Sequence, residues 1–436
     1  MMTRAITEIV LKKLQSQKID SASVAISEEK GFSVHVRKQA VETLEHHLEN
    51  SLSITVYLNH QTGSANSVDF SEKAIDAAIT KACSIANFAN PDPFSGLPDK
   101  NRLANNYPDC QLYFPWAISP AEAIDQAIQA ESKALSFDPR VKQCENVSIG
   151  SYVGKHILAN TLGFIGEYQT SSHHFSCSVV ASENNQMQRD EDYTVARNPT
   201  DLKSFELTAK NAAEKAVSRL NARSIQTQTC PVIFKSNVAK SLLATFSSAI
   251  TGGNLYRRAS FLVGSLGKMI FPKFIDIYQK PHLLSAMGSA PFDAEGVATQ
   301  NLDYIKQGAL INYALGSYSA RKLNLKSTGN AGGIFNLFVT HSGSDLKKLF
   351  KKMHKGLLVT ELMGEGVNIT TGDYSRGVSG FWIDHGEIQF PVEEITIAGN
   401  LKDMFQNIVE IANDIDIRGN IRTGSILIDR MTIAGS

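Results

Sequence analysis

Eleven histidines and five cysteines are the side chains with which this sequence could bind a metal or activate a nucleophile, and their spacing limits both. No HExxH occurs, so two imidazoles are not offered from one helix face to a zinc ion in that arrangement. The adjacent pairs His46-His47 and His173-His174 lie in β-rich runs. Neighbours on a strand point to opposite faces, so neither pair chelates by itself. His35 and His156 sit in similar runs and read as structural histidines. The cysteines, at 83, 110, 144, 177 and 230, are widely separated, odd in number and without a CxxC, which suggests neither a disulfide framework nor a thiolate zinc site. The nearest approach to a phosphate loop, Gly372-Asp373-Tyr374-Ser375-Arg376-Gly377-Val378-Ser379, has valine where a lysine must neutralise phosphate charge. No GxGxxG opens a helix and no GxSxG elbow marks a serine. A Ser/His/Asp triad whose members meet only in the fold stays open.

Two polar groupings remain. Asp373, Tyr374, Ser375 and Arg376 lie between Gly372 and Gly377, which reads as a polar loop anchored by strands: a binding site, or a solvated turn, the commoner reason for such a cluster. Lys347, Lys348, Lys351, Lys352 and Lys355 share one side of a helix with Ser344 as cap, Leu346, Leu349, Phe350 and Met353 on the other side and Gly356 past its end. That face could grip phosphates, but a solvated helix face is again commoner.

The elements that would position these groups follow from periodicity. From Gly356 to Asn400, short runs of Val, Ile, Thr, Phe and Trp separated by glycines read as a multi-stranded sheet, with Ile383 and Ile388 flanking a tight turn at Asp384-His385-Gly386. Ile6, Ile9, Val10 and Leu14 predict a first amphipathic helix. Residues 31–37 and 51–59 read as strands, and Ser71 opens a helix striped by Ile75, Ala78, Ile79, Ala82 and Ala86. Five prolines from Pro91 to Pro115 mark a connector. The order then repeats. Ser119 and Glu122 form a capping box with Pro120 at the first helical position, Phe175, Cys177, Val179 and Ala181 share a strand face, and Phe205, Ala209, Ala212, Ala216 and Leu220 stripe a closing helix. The expectation is an α/β (α+β) chain: a first unit at 1–90, a connecting segment at 91–118, a second unit at 119–228 and a β-rich domain at 229–436.

Composition narrows the partners. Hydrophobic residues make up 42% and charged residues 20%, as in ordinary globular proteins, and 43 basic residues balance 43 acidic ones. No global field favours nucleic acid or anionic lipid. Arg4, Glu8, Lys12 and Lys13 interrupt the apolar positions of the first segment, and no other window is long and apolar enough to span a bilayer, so the expectation is a reduced cytoplasmic protein.

Three late runs are more particular than any of these signals: SYSARKLNLKSTGNAGG (317–333), LLVTELMGEGVNITTGDYSRGVSGFW (357–382) and GEIQFPVEEITIAGNLKDMFQNI (386–408). They closely resemble the PmbA/TldD family, also labelled modulators of DNA gyrase, and specifically its TldE (PmbA) branch. The resemblance spans essentially the whole chain and is strongest after about residue 230. It implies a cytoplasmic two-subunit metalloprotease that cleaves unfolded or modified peptides, in which the TldD branch carries HExxxH and a late cysteine as its metal site. With Tyr256-Arg257-Arg258 as register anchor, the two histidine positions are Ala244 and Ala249, the glutamate position is Thr245 and the cysteine position is Thr423. A methyl group supplies no lone pair, so the resemblance implies a chain without metal, zinc residing in a TldD-like partner. Arg257, Arg258, Asp373, Tyr374 and Arg376 are then the candidates for peptide contacts, and a homodimer is expected in isolation. Two other classes stay open: a regulatory binding protein linked to DNA gyrase, and an independent hydrolase with an unrecognised serine or cysteine nucleophile.

Overall fold

The order helix, three strands, helix occurs twice in the first half. In the computed structural model, which describes residues 2–435, the first set is α1 (Met2–Gln15), β1 (Ser21–Arg37), β2 (Ala40–Leu58), β3 (Gln61–Ser67) and α2 (Glu72–Phe88). The second is α3 (Pro120–Ser136), β4 (Val141–Asn160), β5 (Ile165–Glu183), β6 (Gln186–Ala196) and α4 (Phe205–Ser218). The sets join edge to edge through antiparallel pairing of β1 with β4, giving one six-stranded sheet of order β3-β2-β1-β4-β5-β6. The repeated order is therefore also a repeated topology, with the first strand of each set at the seam.

All four helices cover one face of this sheet. Ser71 caps α2 by accepting from the Ala74 N–H, and its stripe of Ile75, Ala78, Ile79, Ala82 and Ala86 is buried against Val24, Ile26, Ile54 and Val56. The Ser119–Glu122 capping box starts α3, whose alanines meet those of α4 over Val34, Val147, Ile149, Phe175 and Cys177. Alanine lets these helices lie close to the strands, because a small side chain costs no interior volume. Ile9, expected on the buried stripe of α1, is half exposed at 50%. The first strands are longer than the sequence suggests. Ser23, Ala25, Ser27, Ser51, Ser53 and Thr55 alternate with the apolar positions and face away from the helices, so β1 and β2 carry a polar side that hides them from a hydrophobicity reading.

In the second half, β7 (Gln228–Phe234), α5 (Ser236–Ala249) and α6 (Gly252–Tyr256) lead into short elements β8 (Ile277–Gln279), β9 (Leu302–Lys306), β10 (Ala309–Leu310), α7 (Ser317–Lys322) and β11 (Leu337–Val339). Then come α8 (Leu346–Met353), β12 (Gly356–Met363), β13 (Asp373–Asp384), β14 (Glu387–Asn400), α9 (Leu401–Gln406), β15 (Ile408–Ile411), β16 (Ile421–Arg422) and β17 (Ile426–Ala434). Strands β14, β13, β12, β7 and β17 pair in that order, residues 396–398 of β14 also pair with 432–434 of β17 to close a barrel, and β15 pairs with 426–428 of β17. Its interior is filled by Phe234, Val359, Trp382, Ile397 and Ile428 with Leu242 and Phe246 of α5 and Phe405 of α9. The β-rich reading of this half holds.

Two local expectations fail. Asp373 to Arg376 are not a loop: they open β13 and pair with 397–400 of β14, and the loop is the preceding stretch, 364–372. Helix α8 is capped by Asp345, whose carboxylate accepts from the Lys348 N–H, not by Ser344, and it ends at His354 with φ 59°, two residues before Gly356. The turn at His385-Gly386 has φ of 53° and 75°, the pair of left-handed residues a two-residue hairpin demands.

Candidate functional site

The serines on the open face of the six-stranded sheet look across a cleft of about 390 Å³ at loops of the second half. Ser27, Ser53, His156 and Tyr168 form its floor, and Asp293 and Phe335 stand in the opposite wall. That wall is held rigid by Asp293, whose Oδ1 accepts from the Glu295 and Val297 N–H groups and whose Oδ2 accepts from the Ala331 N–H. Burial, reinforced by the neighbouring Glu295 charge, pushes the Asp293 carboxyl up to about 6 against those three bonds. With both oxygens occupied it organises the wall and is a poor candidate for a base. On the floor, burial and the positive charge of Arg197 push the His156 imidazole below its usual range, so it is neutral at pH 7, and its Nε2 lies 3.3 Å from the Thr170 hydroxyl. The cleft is thus lined by serine hydroxyls, aromatic rings and aliphatic side chains such as Ile26, Leu158 and Ala290, which suits an uncharged extended chain better than a phosphate or a metal.

A serine next to a histidine does occur elsewhere. The Ser151 hydroxyl is 3.0 Å from His173 Nδ1, and His173 Nε2 is 2.8 Å from the Phe114 carbonyl. Both side chains lie on the helix-covered face, under Trp116, with His173 fully buried and Ser151 nearly so. A nucleophile there meets no substrate. The pairs His46-His47 and His173-His174 do diverge: His46 sits against Phe32 and His47 against Tyr152, while His174 stacks on Tyr152 from the face opposite His173.

The positions matched to the family's metal ligands provide no donor set. Ala244 is exposed on α5 and Ala249 is buried in the core. The Thr245 hydroxyl donates to the Ser241 carbonyl and the buried Thr423 hydroxyl to the Gly424 carbonyl. One helical turn before Ala244, Lys240 reaches the Tyr193 hydroxyl at 3.1 Å and Asp416 at 3.7 Å. Arg418 binds Asp416 with two nitrogens and reaches Asp192 at 3.1 Å, so cations already neutralise the carboxylates beside this part of α5. The first turn of α5 is capped from a distance: the Ser236 N–H donates to the Ser425 hydroxyl, which Asp414 holds in turn. Among the described residues, no three or more His, Cys, Asp or Glu gather as a ligand set. A divalent metal does not fit these residues.

The five candidate contact residues fall outside the cleft. Arg257 caps α6 and lies over the Tyr256 ring with its nitrogens near the Tyr256 hydroxyl and Asn254, and Arg258 is exposed with φ 56°. The Phe261 N–H donates to the Ile369 carbonyl, which runs this segment beside the 364–372 loop ahead of Asp373. Asp373 is exposed and tied to Thr371 and Asn400, and Arg376 Nε is 3.4 Å from the Met363 carbonyl. Tyr374 is a core residue, 3% exposed and packed edge-on to Phe234, so it is withdrawn from any peptide. The sequence reading missed the cleft residues because serine alternating with leucine or isoleucine, as in Ser51-Leu52-Ser53-Ile54, signals a strand with one wet face and says nothing of what stands opposite.

Family models match along the chain: "PmbA/TldA metallopeptidase domain 1" over 22–86, the central domain over 113–220 and the C-terminal domain over 227–435. The sequence is 46% identical to Metalloprotease PmbA of Escherichia coli O157:H7 over 423 residues, covering 97% of this chain and 94% of that one. This chain belongs to the PmbA/TldD family. Among solved structures, a protein of Bacteroides thetaiotaomicron described as a modulator of DNA gyrase superposes with a TM-score of 0.93 at 24% identity, covering 99% of each chain. TldE of Thermococcus kodakarensis gives 0.85 at 20% identity, over 99% of this chain and 100% of that one, so the fold persists where sequence has largely diverged. The PmbA/TldD run at 317–333 now has a physical role. The Tyr318 hydroxyl donates to Asp92, Lys322 pairs with Asp92 at 3.0 Å, and Arg321 donates to the Phe94, Gly96 and Leu97 carbonyls, binding the connector to α7. Its end, Ala331 and Gly332, belongs to the cleft wall.

Proposed function

We propose that this chain is the metal-free, TldE/PmbA-like subunit of a cytoplasmic two-subunit metallopeptidase, and that a TldD-like partner carries the zinc. Hydrolysis of a peptide bond by a metal needs a Lewis acid to polarise the carbonyl and acidify a water. The observation that carries the reading is the set of side chains at and around α5: an exposed methyl group at 244 and a buried one at 249, hydroxyls at 245 and 423 spent on local carbonyls, and the Lys240–Asp416–Arg418 ion-pair network alongside. The chain contributes substrate binding or assembly instead. The hydroxyl-lined cleft receives an unfolded or modified peptide in extended form, through backbone hydrogen bonds that read little sequence. Arg257, Arg258, Asp373 and Arg376 make polar contacts at the assembled cavity; Tyr374 supports them from the core. Arg257→Ala and Arg376→Ala each lower peptide cleavage by the assembled complex, while cleavage unchanged in both variants removes these residues from the site.

The alternative of an independent serine hydrolase is disfavoured by the burial of the Ser151–His173 pair. Class-specific inhibition separates the two: a chelator stops the complex and serine or thiol reagents do not. A link to DNA gyrase by direct DNA binding is opposed by the zero net charge, and a gel shift at low salt is expected to show no retardation.

A further inference from the structure

The short sheet β10-β9-β8-β11-β16 turns one face to the core, where Ile277 and Leu337 are fully buried, and leaves the other partly open to solvent. On that outer face Tyr278, Phe338 and Arg422 are register partners on three successive strands. The two rings stack at 5.6 Å with an angle of 6° between their planes. Lys280 Nζ lies 5.3 Å from the centre of the Tyr278 ring and 5.4 Å from that of Phe338, and the Arg422 guanidinium lies 5.6 Å from Phe338. Two cations therefore bracket one aromatic stack, held there by the negative faces of the rings. Neither meets a carboxylate among the described residues, and Arg422 Nε is buried without a hydrogen-bond partner. The acids nearby are already engaged, since Lys306 pairs with Asp276 at 2.8 Å and with Asp303 at 3.7 Å. Unpaired cations fixed before a ligand arrives favour an anionic one, because little freedom is lost on binding. Beside them Tyr278, Lys280, Asp303 and Lys306 border a depression of about 380 Å³. Phe335 of the cleft wall stands three residues before Phe338, about 10 Å of extended chain.

We propose that this face is a second peptide subsite, outside the cleft, that takes an acidic stretch of the unfolded substrate. Carboxylates two residues apart on an extended chain point the same way and lie about 7 Å from each other, so one meets Lys280 and the next meets Arg422. The cleft then holds an uncharged part of the chain while the subsite holds a charged part beyond it. A uniform polyanion fits less well, since the Asp303 carboxylate stands at the depression that such a ligand would cross. The subsite deepens the peptide-handling reading of this chain and rests on it.

The test uses the full chain without a partner. Fluorescence anisotropy measures binding of a labelled, otherwise neutral peptide carrying Glu-Ser-Glu, and of its Gln-Ser-Gln counterpart, to the native protein, Lys280→Glu and Arg422→Gln. The expected result is that the native chain binds the acidic peptide about tenfold more tightly, and that each variant loses the preference while its affinity for the neutral peptide is unchanged. Lys280 is exposed, so Lys280→Glu keeps the fold whatever Arg422→Gln does, and circular dichroism checks both. Equal affinity of the native chain for the two peptides, binding of neither, or a preference that survives Lys280→Glu overturns the proposal. A single-stranded oligonucleotide that binds more tightly than the acidic peptide and is lost in the same variants overturns it too, by assigning the face to nucleic acid. Because binding is measured without metal or partner, these outcomes strike the subsite alone, whereas absent cleavage by the assembled complex strikes the division of labour.

Discussion

Asp293 and Asp416 titrate in opposite directions, and the reason lies in what each carboxylate touches. Asp416 is held down to about 2 by Arg418 and Lys240 despite its burial, so its folded value lies below the unfolded one: its stabilisation is present above pH ~4 and fades as pH falls towards 2. Asp293 is raised from 3.8 to about 6, so the folded state binds the extra proton and stability is lost as pH climbs through that window. Relative to Asp293→Asn, the native protein gains on the order of 2 kcal/mol as pH falls from above 6 to about 4, measured by denaturant titration at each pH. A difference independent of pH contradicts this account of the wall. Tyr374 supplies a second residue-level prediction. Its hydroxyl is buried and finds no protein partner, and burial pushes its pKa up. Tyr374→Phe removes an unsatisfied polar group and leaves the ring against Phe234, so stability stays equal or rises by about 1 kcal/mol and peptide cleavage by the complex is unchanged. A loss of 2 kcal/mol or more in the same denaturation assay contradicts that. The sequence marks Tyr374 as polar and close to Arg376; strand alternation, which sends 374 inward and 373 and 375 outward, is the signal against it.

At the scale of elements, helices are legible in the sequence and strand lengths are not. The stripes of α2 and α4 and the serine caps of α2 and α3 can be read directly, because a helix buries every third or fourth residue against one surface. Strands β1 and β2 read at half their length because their second face is polar and, over 40–50, both faces are exposed. The Asp345 cap is hidden by an adjacent serine of equal capping ability, and only the Asp345–Lys348 bond distinguishes them. The connector at 91–118 is recognisable by its prolines, but its order is imposed from far away by α7. Arg321→Ala strips the bonds to three carbonyls of residues 94–97, and charged hydrogen bonds of that kind support a loss of about 2 kcal/mol. The expected outcome is faster limited proteolysis within the connector while the barrel fragment stays intact. An unchanged cleavage pattern means that the connector is held by other contacts.

For the whole molecule, the sequence foretells a β-rich second half, and the closed barrel with α5 in its core accounts for the glycine-punctuated strands. The cleft between halves is not legible there, since it depends on how a sheet face and distant loops meet. Polar contacts join the halves, Arg219 bridging Asp190 and Glu361, Gln188 donating to Glu393 and Arg418 bridging Asp192 and Asp416, and so does an aromatic cluster in which Phe292 packs edge-on against Phe164 and Tyr168. The metal-free reading makes a direct chemical prediction, that purified protein retains no stoichiometric zinc after mild chelation. Elemental analysis finding about one zinc per chain after that treatment places ligands where the α5 surface offers none.

Cleavage of an unfolded peptide, measured for this chain alone, for a TldD-like partner alone and for their mixture, with and without chelator, tests the division of labour most directly. The account predicts no turnover by this chain, strong turnover by the mixture and its abolition by chelator. Chelator-sensitive turnover by this chain alone at the rate of the mixture contradicts it.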